Sequence, residues 1–149
     1  MASTLSNATL TVTLSESLTL NGANHGSTKK IQIGGVNEVS KRIMTVATGG
    51  TQIYAGGAAA SYGTFVTADV KYVRITNLDD TNYIVLHLEG NSHYAQIQVA
   101  PGHAFFLTDV SAVFDNASAV ASYSAEDITR IDAMANTAAV DVEIMVASA

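Results

Sequence analysis

Residues 70–107, VKYVRITNLDDTNYIVLHLEGNSHYAQIQVAPGHAFFL, alternate apolar and polar residues strand after strand. No other feature constrains the fold as tightly. A repeat of two belongs to a half-buried β-strand, because successive side chains point to opposite faces. A polar loop at Leu78-Asp79-Asp80-Thr81, a Gly90-Asn91 turn and a Pro101-Gly102 turn separate the strands. With a four-residue first loop, Ile75 falls opposite Ile84 and Val73 opposite Leu86. With a two-residue second turn, Leu86 falls opposite Ala95 and Ile84 opposite Ile97. One face then carries Val73, Ile75, Ile84, Leu86, Leu88, Ala95, Ile97 and Val99. That is the expected core face, and a one-residue slip would turn it to solvent. The other face sets Tyr72, His87 and Tyr94 in one row, with Arg74, Val85 and Gln96 in the next. Cross-strand aromatics brace a sheet. The same half-apolar face also suits contact with another protein.

A second clean alternation covers residues 8–20. Leu10, Val12, Leu14, Leu18 and Leu20 share one side, and Thr and Ser fill the other. Glu16 interrupts the apolar row, which predicts a bulge, a sheet edge or a split into two strands. A Thr-rich face without charge pairs readily with another chain. Residues 1–7 are small and polar and read as a flexible N-terminal arm.

Elsewhere, Asn21-Gly22 and His25-Gly26 mark a loop, KKIQIG a short strand and Gly34-Gly35 a turn. Residues 36–46 supply one or two strands, Thr48-Gly49-Gly50 a turn and residues 51–55 a brief strand. GGAAASYG at 56–63 is a loop of small residues. Residues 111–124 are indistinct, and 127–134 fit either a helical turn or a strand. Val140, Val142, Ile144 and Val146 alternate with polar or less apolar neighbours in a last strand. Many short strands with one proline predict an all-β fold, an antiparallel β-sandwich of jelly-roll type with at most one short helix. A closed barrel is the alternative. Residues 8–149 form a single domain on this reading.

Composition narrows the function. At 149 residues the chain can bury roughly two-thirds of its unfolded surface. A hydrophobic fraction of 48% excludes disorder as the default. Only 13% of residues are charged, which is about half the usual share. Thr, Ser, Asn, Ala and Gly take the place of Lys and Glu, as suits a subunit covered by neighbours. The net charge of −6 and scattered Lys and Arg argue against nucleic acid as a partner. No apolar run reaches bilayer length, so no membrane partner is expected, and the first residues lack a signal-peptide pattern. The absence of cysteine removes disulfide and thiolate chemistry.

No catalytic constellation emerges. His87 and His93 flank Glu89, but the register sends His87 away from the core face while His93 lies on that face or in the turn, so they do not share a metal ion. His25 and His103 are loop residues without an assignable partner. Asp79-Asp80 lacks the spacing of a calcium loop and reads as turn chemistry. Neither a G-x-S-x-G elbow nor a phosphate-binding P-loop is present. The expectation is a non-enzyme, with no catalytic residues, no cofactor and no metal.

The segment KYVRITNLDDTNYI, a following strand pair and APGHAFFL resemble a pattern in structural proteins of tailed bacteriophages. The ends, TLTVTLSESLTLNG and VDVEIMVAS, are similar to those of small virion proteins of marine phages. The resemblance implies a β-sandwich subunit that cements or decorates a capsid, assembled in the host cytoplasm and resident in the virion. Its partners would be the major capsid protein and copies of itself, as a homotrimer. Leu10, Val12, Leu14, Tyr72, Arg74, His87 and Tyr94 are the expected contact residues. A tail fibre, knob or tube subunit is the alternative, as is a carbohydrate-binding sandwich using Tyr54, Tyr62 and Tyr123.

Overall fold

The computed structural model describes residues 6–108, 111–112 and 126–149. Residues 1–5 of the expected arm, Tyr123 and most of the indistinct 111–124 stretch lie outside the described residues. In chain order the strands are β1 (Ala8–Ser15), β2 (Thr19–Leu20), β3 (Ala23–Asn24), β4 (Thr28–Val36) and β5 (Glu38–Val46). Then come β6 (Thr51–Gly57), β7 (Phe65–Val66), β8 (Val70–Asn77), β9 (Ile84–Glu89) and β10 (Tyr94–Val99). The last are β11 (Ala104–Leu107), β12 (Ser111–Ala112), β13 (Glu126–Asp127), β14 (Arg130–Ala135) and β15 (Val140–Ser148). A single 3-10 turn, Thr67–Asp69, precedes β8, and no α-helix occurs among the described residues. The fold is all-β, and the 127–134 stretch takes strand and not helix: Asp127 ends β13, Ile128 and Thr129 follow, and the rest lies in β14.

Two sheets form the body. One has the order β10-β9-β14-β6-β7 and the other β11-β8-β15-β5, and apart from the short parallel β6–β7 pair every neighbouring pair is antiparallel. The pairings are nested: β5 with β15, β6 with β14, β8 with β11 and β9 with β10. The first of these eight strands meets the last, the second the next to last, and so inward to the central hairpin. Between the sheets lies an apolar core that includes Ile53, Ile75, Ile84, Leu86, Leu88, Ile131, Val142 and Ile144, each at most 1% exposed. Full burial of such a side chain is worth about 1.5–3 kcal/mol.

The expected core face of residues 73–99 holds: Val73, Ile75, Ile84, Leu86, Leu88 and Val99 are buried, and Ala95 and Ile97 are half-buried. The pairing behind it differs in two places. β8 and β9 do not form a hairpin; they belong to opposite sheets, and residues 78–83 turn the corner between them. Their inner faces look at each other across the core, so both present apolar residues to it without being neighbours. The β9–β10 hairpin pairs Leu86 with Ile97 and Leu88 with Ala95, two residues from the expected register. Its loop runs from Gly90 to His93, closed by the Gly90 amide donating to the His93 carbonyl at 2.8 Å. A shift of two leaves every side chain on its face.

The corner has its own chemistry. Asn77 is fully buried, and its Nδ2 donates to the carbonyls of Asn82, Val99 and Ala100 at 2.8, 3.3 and 3.3 Å. Its Oδ1 accepts from the Asp79 amide at 3.0 Å. Asp79 accepts in turn from the amides of Thr81 and Asn82, which hold its carboxyl below the ordinary aspartate range. The acidic pair is thus turn chemistry, in a corner between sheets.

Outside the sandwich runs a long hairpin. β1 pairs with β4, and β2 with β3 beyond a break at Glu16, where the expected split falls. Asn21 and Gly22 close the tip with φ of 51° and 79°, as a two-residue primed turn requires. The ribbon is about 40 Å long from Ala8 to the tip, at ~3.3 Å per residue. Gly34-Gly35 does not turn the chain; β4 runs on through Val36, and Asn37 alone joins it to β5.

Candidate interaction surfaces

The root of the hairpin lies on the outer face of the four-stranded sheet. Leu10, Val12 and Ile33 pack there with Val36 on Tyr72, Phe106, Met145 and Ala147. Tyr72 keeps only 4% of its surface and tilts against Phe106 at 6.4 Å between ring centres. The expected row of Tyr72, His87 and Tyr94 therefore does not form. Tyr72 stands in the other sheet and anchors the arm, because the corner at 78–83 parts β8 from β9. Arg74, beside it, donates to Glu143, which also receives Lys41 at 3.1 Å. These two cations, Lys41 foremost, hold the Glu143 carboxyl below the ordinary glutamate range.

Past its root the arm is bare. From Thr13 to Lys30 every residue except Gly26 is exposed, and Leu14, Leu18 and Leu20 stand 38%, 54% and 56% open. Pairing continues across the break: the Glu16 amide donates to the Ser27 carbonyl at 2.7 Å, and the His25 amide to the Leu18 carbonyl at 2.8 Å. Gly26 allows this, since a side chain there would collide with the Glu16 carbonyl. Of the expected contact residues, Leu10 and Val12 sit at the arm's root and Leu14 at the start of its bare half. Leu18 and Leu20 belong with Leu14. Leu20-Asn21-Gly22-Ala23 carries the hairpin signal that places them there.

The outer face of the five-stranded sheet is the second surface. His87 stacks on Tyr94 with ring centres 5.1 Å apart and lies 3.5 Å from Gln96 Nε2. Tyr94 is 69% exposed and Met134 47%. Val85, His87, Gln96, Ala133 and Met134 line a shallow, mainly apolar hollow of about 160 Å³. Beside it Arg130 and Asp132 pair at 2.8 Å, and Glu89 stands across from both Arg130 and Tyr94.

The histidines are dispersed. His93 Nδ1 meets Glu126 at 2.9 Å, His103 Nδ1 lies 2.7 Å from the Pro101 carbonyl, and His25 sits near the arm's tip. Among the described residues no three His, Cys, Asp or Glu side chains are placed to hold a metal ion. Nor is any helix among them long and apolar enough to cross a membrane. A cleft of about 410 Å³ opens beside β5, lined by Glu38, Arg42, Tyr62, Phe65 and Asp69 among others. Tyr62 stands fully exposed at its rim, whereas Tyr54 is buried against Phe65, stacked at 5.7 Å. No protein-family model, no curated protein and no solved structure matches this chain.

Proposed function

We propose that the chain is a non-enzymatic virion subunit that decorates the head of a tailed phage, seated over junctions of the major capsid protein. The phage-like segments of the sequence support this reading. The nested strand order supports a jelly roll, since pairing first with last and second with next to last is what rolling up one long hairpin produces. Fold alone assigns no function. The observation that carries the proposal is the outer face of the five-stranded sheet, where the His87–Tyr94 stack, Val85 and Met134 surround a mainly apolar hollow. Exposed aromatic and methionine side chains of this kind are characteristic of interface centres. One such patch binds weakly, but a subunit held at several points of a symmetric lattice gains by effective concentration.

The test is binding of the purified chain to heads assembled without it, with bound copies counted per particle. Saturation at many symmetry-related sites is expected, together with strong loss for the pair Tyr94→Ala and Met134→Ser. Heads that bind none would refute the proposal, and equal binding by the variant would refute the assigned surface. A few copies confined to the tail would identify a tail component instead. The cleft beside β5, with exposed Tyr62 among Glu38, Arg42 and Asp69, favours a second reading as a sugar-binding module. A glycan array without hits would dispose of it.

A further inference from the structure

We infer that the bare half of the arm docks on a second copy of this chain, along the β5 margin of its four-stranded sheet. This deepens the virion-subunit reading, on which its biological setting rests. A two-stranded ribbon has little stability of its own in water. Here the root is held by Tyr72, Phe106 and Met145, while Leu14, Leu18 and Leu20 continue the same apolar row with nothing against them.

The receiving surface is on the page as well. β5 is a nine-residue strand at the sheet margin, and among the described residues its one ladder partner is β15. Its outward side chains Val39 and Ile43 are 57% and 63% exposed. A long margin strand with open apolar side chains is a site of association. Val39 lies directly opposite Ala147, which the chain's own arm covers completely. The open strip therefore continues the surface that the arm's root already occupies, and a row of leucines meets the same kind of sheet face in both places.

Charge favours the same pairing. The arm holds two of the seven basic residues, Lys29 and Lys30, and one of the thirteen acidic ones, Glu16. Five basic and twelve acidic residues remain for the rest of the chain. Neither arm lysine forms an ion pair among the described residues; on the outward side of the β5 strip the Asp141 carboxylate stands beside Thr45, and Lys41, between Val39 and Ile43, is already paired with Glu143. The contact is head-to-tail: arm of one copy, sheet of the next. Such contacts close into rings or run on as chains, according to the rotation between copies.

Mixing two defective variants tests this directly. Wild-type chain should scatter light as an oligomer that dissociates on dilution. Leu18→Asp with Leu20→Asp removes the arm's grip, and Val39→Asp with Ile43→Asp removes its seat. All four positions are more than half exposed, so both variants should fold, and each alone should have the 15.5 kDa mass of one chain. An equimolar mixture should reach twice that mass and stop, since one intact arm then meets one intact seat. A wild type that is monomeric throughout, variants that associate like wild type, or a mixture that stays monomeric would each overturn the inference. Head binding measured in parallel separates the two proposals. A monomer that still decorates heads sinks only the arm contact, and an oligomer that ignores heads sinks only the decoration role.

Discussion

Asn77→Ala should be among the most damaging single substitutions in this protein. The residue has no exposed surface, and its amide joins the end of β8 to the far end of the corner and to the end of β10, in the opposite sheet. Alanine removes one well-formed hydrogen bond to Asn82, a shared pair to Val99 and Ala100, and the acceptor for the Asp79 amide. A typical internal hydrogen bond contributes about 1 kcal/mol, and a buried group left without its partner costs about 1–3 kcal/mol. The three interactions together put the loss at about 3 kcal/mol. In a domain of this size that is a fall of roughly 6–12 °C in melting temperature. Urea unfolding is the assay, with the midpoint shifted at unchanged slope. Asn77→Asp separates hydrogen bonding from volume. It keeps the shape but turns a carboxylate toward three carbonyl oxygens, so the folded state binds its proton more tightly than the unfolded chain does. The folded pKa is then raised, and the variant should gain stability as pH falls from neutrality. A loss below about 1 kcal/mol for the alanine variant, or an aspartate variant insensitive to pH, would refute the view that this amide ties the two sheets together.

Three further outcomes are expected. The Tyr54 hydroxyl is buried without a hydrogen-bond partner among the described residues and its pKa is pushed up to about 12, chiefly by burial. Tyr54→Phe should therefore be neutral or stabilising by up to ~1 kcal/mol in urea unfolding, and a clear loss would reveal a partner for the hydroxyl. Asp79, Glu126 and Glu143 all have lowered pKa values, Glu126 through the Ser92 amide first and then His93. Depressed folded pKa values give stability that is present above the unfolded values and lost as pH falls through the folded ones. The melting temperature should drop below about pH 4, less steeply for Glu126→Gln. Gly26→Ala should speed hydrogen exchange at the Glu16 and His25 amides while leaving Ile75 and Ile144 protected, since the clash is confined to the arm.

The candidate surfaces were only partly legible in advance. His87, Tyr94 and Arg74 face outward as alternation requires, because the direction of a side chain in a strand is a local property. Tyr72 shows the limit. Its outward direction follows from the same parity, yet the arm that buries it is assigned by packing between segments roughly sixty residues apart. Leu18 and Leu20 read as one apolar row with Leu10, but their exposure depends on where the sheet beneath the arm ends.

Residues 73–99 mark the same boundary for the whole fold. Their sequence alone determined which side chains enter the core, since a period of two sorts Val73, Ile75, Ile84, Leu86, Leu88 and Val99 to one side whatever the neighbouring strand. It also placed a last strand over Val140 to Val146 through the same alternation, which the structure extends to Ser148. Tertiary structure decided the partners. NLDDTN can close a hairpin or turn a corner between sheets, and the polar groups that choose the corner are those of Asn82, Val99 and Ala100 around Asn77. A register shift of two, or a strand moved to the facing sheet, leaves alternation unchanged, so neither is written in the local pattern. Nested pairing of β5 with β15 and β6 with β14 joins strands far apart in the chain, and only the packing of the two sheets selects it.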